Sequence, residues 1–332
     1  QPTVLDPITS PNSPPSNPAS PNKTTLAKDF LTEGPLDAEG EVESVALSLD
    51  CELLAWGTSG TNAVRVLRTR TGERLAATVP HRLKCMALAS DGKTLAAGTT
   101  DSRLRLWDIG QSLVERPSVD MARGSIASLA FSPDGEWIVI GIAPWNNSTV
   151  NLRAWRFRTD DSSIVMPGHM AAVDAVAFSP DGKMLATASR GGVVLIRSVG
   201  DWRILHTLKA EAGQAWSLAF SPDGKTLATA LISGKGGVPV WNTSTGEKLF
   251  AFRGHEGEPT AVAFSPTHPV VASGSSDGIR LWNAGTGKQI REPFSIHQGG
   301  LMRGLTFSND GSVLVSGASD RKLCIWHTER LR

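Results

Sequence analysis

Histidine, a hydroxyl residue and aspartate recur together along this 332-residue sequence. His81, Thr99 and Asp101 form one such group, and His255, Ser275 and Asp277 form another. A hydroxyl, an imidazole and a carboxylate in one place could make a nucleophile, the imidazole taking the hydroxyl proton while the carboxylate orients it. A tryptophan follows each group, Trp107 and Trp282, and a looser version returns at His297, Asp320 and Trp326. An enzyme needs one nucleophile. The repetition, with a fixed aromatic companion, points to structure instead, and no catalytic residue is assigned. Gly285-Thr286-Gly287-Lys288 looks like a phosphate loop but lacks the glycine five positions before Gly287 and the hydroxyl residue after the lysine. It stands where other repeats carry Thr71-Gly72-Glu73 and Thr245-Gly246-Glu247, so it reads as a turn. Cys51, Cys85 and Cys324 fit no zinc, haem or disulfide spacing, and the seven histidines form no metal cluster. Neither metal nor cofactor is expected.

The elements that position these residues form a repeat. A Phe-Ser-Pro-Asp-Gly phrase or a variant of it recurs, and its Phe position falls at 47, 88, 131, 178, 220, 264 and 307. A period in the low forties signals a repeat architecture. Each repeat holds short β-prone runs between turn residues. In the sixth these are Ala261 to Phe264, Val270 to Gly274, Ile279 to Trp282 and Gln289 to Phe294, with Asp277-Gly278 as a tight turn. No long stretch shows a 3.6-residue period, so almost no helix is expected. A lone four-stranded sheet of this size cannot cover both faces, whereas a closed ring of stacked sheets leaves none bare. The last repeat lacks a fourth strand, and the segment from Lys28 to Pro35 resembles fourth strands elsewhere, such as Lys248 to His255. The amino-terminal strand is therefore expected to complete the final blade of an all-β, seven-bladed propeller and to remove a free edge.

Composition narrows the function. The chain is 40% hydrophobic and carries 33 basic and 32 acidic residues, a net charge of +1. No basic footprint points to nucleic acid or an anionic membrane, and no apolar run approaches a membrane span. Residues 1 to 25 are rich in Pro, Ser and Asn and read as a disordered linker or tail, with the propeller over 26 to 332. A chain that opens on Gln1, without Met or an apolar signal segment, is expected to be processed or to be a piece of a longer protein. Asn22-Lys23-Thr24 and Asn146-Asn147-Ser148 match the glycosylation spacing but are read as chance matches.

Gly-His pairs at Gly168-His169 and Gly254-His255, the Ser-Pro-Asp-Gly phrases, Leu106-Trp107-Asp108 and Leu281-Trp282-Asn283 together resemble the WD-repeat propellers, over about nine-tenths of the chain. Phrases such as Phe220 to Ala228 resemble bacterial members, in which such propellers often follow a signalling module such as a kinase. The resemblance implies a buried hydrogen-bonded set of His, Ser or Thr, Asp and Trp in many blades, useful only when every member is satisfied. On that pattern the sets His81, Thr99, Asp101, Trp107 and His255, Ser275, Asp277, Trp282 are complete. The seventh has Ala318 where the hydroxyl belongs, the fourth keeps His169 and Ser189 but has Gly191 for Asp and Ile196 for Trp, and the first has Leu67 for Trp. Quinone-cofactor propellers fit these phrases poorly.

Function in such a fold is expected on the rim loops, which rigid blades hold in place. The position two residues before each Val-Ala-Phe core should face the channel mouth: Glu43, Lys84, Ala127, Asp174, Trp216, Thr260 and Arg303. Glu43, Lys84, Asp174, Trp216 and Arg303 are candidate partner-binding residues, Trp and Arg being common at interface hot spots. Trp145, in a loop inserted after Ala143, is a further candidate, though folding back on its own blade is the more ordinary fate of such a residue; the Ser233 to Gly237 loop adds flexibility and one cation. The resulting expectation is a non-enzymatic scaffold for protein or peptide partners, monomeric as a domain and cytoplasmic, in the setting of a larger signalling protein. The alternative is an enzyme or small-ligand sensor with its site at the channel mouth.

Overall fold

The computed structural model describes residues 34–121, 123–145, 151–159, 163–209, 213–232, 237–294, 297 and 299–330. The expected linker, residues 28–33, both glycosylation triplets and loop residues 233–236 lie outside these.

Seven antiparallel sheets form the blades. Blade 1 runs Glu41–Leu47, Leu53–Ser59, Ala63–Arg68 and Arg74–Thr78, and blade 2 runs Leu83–Leu88, Thr94–Thr99 and Arg103–Ile109, with Leu113–Glu115 and Val119–Asp120 sharing its outer edge. Blade 3 is Gly124–Phe131, Ile138–Pro144, Leu152–Trp155 and Ile164–Val165; blade 4 is Val173–Phe178, Met184–Ser189, Val193–Ser198 and Ile204–Lys209. Blade 5 is Gln214–Phe220, Thr226–Ile232, Gly237–Asn242 and Lys248–Arg253. Blade 6 has Ala261–Phe264, Val270–Ser275 and Gly278–Asn283. Its expected fourth strand is reduced to two bridges, Trp282 with Gln289 and Ile279 with Phe294, because the register slips by two residues between them. Blade 7 is Met302–Phe307, Val313–Ala318 and Lys322–His327, completed by Gly34–Asp37. A 3₁₀ turn at Thr328–Arg330 is the one helical element among the described residues.

The closing strand pairs Leu36 with Leu323, and the backbone N–H of Ala38 donates to Arg321 at 3.0 Å. The inner strand of each blade packs on that of the next, and blade 7 on blade 1, so the ring is shut.

Local chemistry explains the recurring phrase. In blade 4 the Ser179 hydroxyl donates to Asp181 Oδ1 at 2.6 Å, and the Met184 and Lys183 amides donate to Ser179 Oγ and Asp181 at 2.9 and 3.1 Å. Two side chains thus satisfy the backbone of the turn between first and second strands. Gly182 supplies the positive φ of 70° that this turn needs. Blade 1 builds the same turn from Ser48 and Asp50, with Cys51 forced to φ 60° in the glycine place.

Blade-to-blade packing depends on small residues in the second strand. Ile126, fully buried, lies over Gly98, where an added Cβ would come within 2.3 Å of its Cγ2 and 2.7 Å of Cys85 Sγ. Leu83 covers Gly57 and Met302 covers Gly274 in the same way. We expect Gly98→Ala to destabilise by about 2 kcal/mol through overpacking, read as a lowered urea midpoint. An unchanged midpoint would show that the seam between blades 2 and 3 is slack.

Candidate functional site

Register places the candidate rim residues. The first strands carry a β-bulge at one offset, with shifts between Val42 and Ser44, Leu83 and Cys85, Ile126 and Ser128, Val173 and Ala175, Ala215 and Ser217, and Met302 and Gly304. The residue skipped by each ladder is Glu43, Lys84, Ala127, Asp174, Trp216 and Arg303. A bulged residue leaves the pairing and is re-aimed. In blade 6 Thr260 holds the same place and its hydroxyl donates to Met302 O at 2.6 Å. All seven line one cavity of about 580 Å³ at the channel mouth. Trp145 lines it too and is 49% exposed, so its ring does not fold back into blade 3.

The mouth has an organised electrostatic pattern. Glu43 is buried and accepts from Arg82 Nε at 3.2 Å, a contact that raises the arginine's pKa. Asp174 takes a bidentate pair from Arg190 at 2.8 and 3.1 Å. The Arg303 guanidinium lies 5.1 Å from the Trp216 ring centroid, and the indole N–H donates to Gln214 Oε1 at 3.2 Å. Lys84 makes no ion pair among the described residues. Burial pushes its pKa down; Glu43 opposes this, while Arg82, Arg303 and Arg190 push it further down.

The buried polar sets differ from the sequence expectation by a consistent two residues. In blade 6, Trp282 Nε1 donates to Ser273 Oγ at 2.7 Å, His255 Nε2 meets the same oxygen at 2.7 Å, and His255 Nδ1 meets Asp277 Oδ1 at 2.7 Å. The hydroxyl is Ser273, not Ser275, whose buried Oγ has no partner. A carboxylate only accepts, so His255 Nδ1 carries the proton. Burial lowers the imidazole's pKa, leaving it neutral with Nε2 free to accept the Ser273 hydroxyl proton. Donation therefore runs one way, from Trp to Ser to His to Asp. Burial alone would raise the Asp277 pKa, but bonds from His255, the Glu256 amide and Arg280 hold it at about 2.

Blade 7 has the same contacts, Trp326 to Ser316 at 2.9 Å, Ser316 to His297 at 2.8 Å and His297 to Asp320 at 3.0 Å, so Ala318 leaves no gap. Blade 4 joins His169 Nε2 to Thr187 at 2.8 Å, not to Ser189. With Gly191 where a carboxylate would stand, His169 Nδ1 is buried without a partner. Blade 2 corrects the expectation most. Ala97 occupies the hydroxyl register, Thr99 instead turns to Asp101 and Arg103 O, and His81, its side chain 52% exposed, stays 3.5 Å from Asp101. Trp107 is fully buried there by apolar neighbours. Blade 1 answers its missing Trp with Trp56 of the second strand, whose indole donates to Ala38 O at 3.3 Å.

The trios in blades 6 and 7 are sealed, Ser273 and Ser316 both at 0% exposure, which keeps substrate from their hydroxyls. Burial pushes the Cys85 and Cys324 thiols up to about 12, so neither is a poised nucleophile. No group of three metal-ligating side chains occurs among the described residues, and none of their helices is long and apolar enough to cross a membrane.

Five stretches of the chain, 72–108, 161–197, 202–242, 246–283 and 287–327, match the WD domain, G-beta repeat, together more than half of the sequence. Each match begins near the outer edge of one blade and ends at the third strand of the next. The unmatched blades are 1 and 3. The chain is 28% identical over 254 residues to periodic tryptophan protein 2 of Saccharomyces cerevisiae, covering 74% of this chain and 26% of that protein. It is 28% identical over 269 residues to WD repeat and SOCS box-containing protein 1 of Homo sapiens, 75% of this chain and 60% of that protein. Protein HIR1 of Mycosarcoma maydis is 27% identical over 322 residues, covering 84% of this chain and 31% of that protein. The chain thus spans between about a quarter and three-fifths of the length of these relatives. From the repeated Trp, Ser-Pro-Asp-Gly and Gly-His phrases, the seven closed blades and these five matches, the chain belongs to the WD-repeat family.

Proposed function

We propose that the chain is a non-enzymatic platform that holds protein or peptide partners at the channel mouth, as the docking domain of a larger signalling protein. The observation that carries this reading is the bulge column. Seven positions at one offset of the first strands, six of them bulged, bring seven different side chains to one cavity, which is how a rigid scaffold acquires specificity. Trp216 beneath Arg303 is a pre-organised aromatic and cationic pair of the kind that dominates interface energetics. The partial span of the relatives fits a domain that works within a longer chain.

Affinity capture with wild type and with the Trp216→Ala, Arg303→Ala double variant tests it. Specific partners should be lost from the variant while its melting curve stays unchanged. Equal capture by both proteins would end the proposal.

A further inference from the structure

Resting on the reading just given, we propose that the channel mouth takes an acidic peptide segment, an aspartate or glutamate side chain of the partner reaching Lys84 and Arg303. The two carboxylates of the mouth are already engaged, Glu43 by Arg82 and Asp174 by Arg190. Two cations are left over. Lys84 is half-buried in the cavity and, among the described residues, has no carboxylate within ion-pair distance. Arg303 is stacked on Trp216, which fixes its plane and leaves its N–H edge for a planar acceptor.

The surplus is local, because the whole chain carries a net charge of only +1. Burial, together with the neighbouring arginines, makes the Lys84 charge costly as the site stands, and an incoming carboxylate would relieve that cost. Exposed apolar side chains stand on the same rim: Trp145, 49% exposed, lines the cavity, and Met170 at 95% and Leu301 at 42% exposure lie on the loops that lead into the first strands of blades 4 and 7. They offer purchase to the residues beside an acidic one, which a small free anion could not use.

The test is selection of short random displayed peptides on the intact protein. The selected peptide is then titrated against wild type, Lys84→Gln, Arg303→Gln and Trp216→Ala, each checked by its melting curve. The selected pool should be rich in Asp and Glu. Lys84→Gln should weaken binding about tenfold, and replacing the peptide's key Glu by Gln should weaken it as much, with little further loss when the two changes are combined. Affinity should fall as salt rises. Binding only when a phosphoserine replaces the Glu would overturn the carboxylate assignment. So would neutral or basic peptides that bind Lys84→Gln unchanged. If such peptides still lose affinity on Trp216→Ala, the mouth remains a docking surface and only its charge preference is refuted. If Trp216→Ala and Arg303→Gln change nothing, both proposals fail.

Discussion

Ser273→Ala is expected to cost about 3–4 kcal/mol, while Ser275→Ala, two residues along the same strand, should stay within about 0.5 kcal/mol of wild type. Ser273 accepts from the Trp282 indole at 2.7 Å and donates to His255 Nε2 at 2.7 Å. Its loss leaves a buried donor and a buried acceptor unanswered, each worth about 1–3 kcal/mol. Nothing replaces it, since His255, Trp282 and Ser273 itself are all buried away from water. Ser275 Oγ has no partner to lose. Urea unfolding of the two variants decides the matter: equal destabilisation, or the reverse order, would mean that blade 6 is not organised around Ser273.

That pair of serines also marks where sequence reasoning stops. The number of blades was legible because turn chemistry repeats with the period of the fold, and each Ser and Asp of the phrase has a backbone amide to satisfy. Ring closure was legible because the last repeat lacks a fourth strand of its own, and Gly34–Asp37, which overlaps the end of the Lys28 to Pro35 segment, supplies one. The placement of the mouth column followed from a fixed offset, which holds because the bulge recurs at the same step in six first strands and Thr260 keeps that place in the other.

The identity of the buried hydroxyl was not legible. Positions two apart on a strand face the same way, so Ser273 and Ser275, or Thr187 and Ser189, cannot be told apart by alternation. Only the register across to the third strand separates them, as Ser273 lies opposite Arg280, and Ser316 opposite Cys324. A signal did exist. Both complete sets place the hydroxyl four residues before the aspartate, Ser273 to Asp277 and Ser316 to Asp320. Applied to blade 2, that spacing lands on Ala97 and shows its set to be broken. The pairing of Arg303 with Trp216 was equally hidden, because the two come from blades 7 and 5 and meet only across the ring.

The broken set in blade 4 gives the fold a calculable acid sensitivity. Burial, reinforced by Arg197, lowers the His169 pKa to about 4. The unfolded chain, with a histidine near 6.5, binds the proton first as pH falls. The stability contributed by the neutral ring is therefore full above about pH 6.5 and is lost progressively down to about pH 4, in total about 3 kcal/mol. Asp277 acts in a lower window, its contribution being lost only as pH falls from about 3.8 towards its folded value of about 2. Gly191→Asp should act on the first window. Gly191 occupies the place of Asp320 in blade 7, four residues after the hydroxyl, and a Cβ there meets nothing closer than 3.8 Å. The introduced carboxylate would accept from His169 Nδ1 as Asp320 does from His297 at 3.0 Å, and Thr187 would then donate to Nε2. The variant is expected to gain about 1–2 kcal/mol at pH 7 and to lose less than half as much stability as wild type between pH 7 and pH 4. Parallel urea titrations at the two pH values measure both quantities. A variant whose stability falls as steeply as that of wild type would show that His169 does not set the acid limit of this ring.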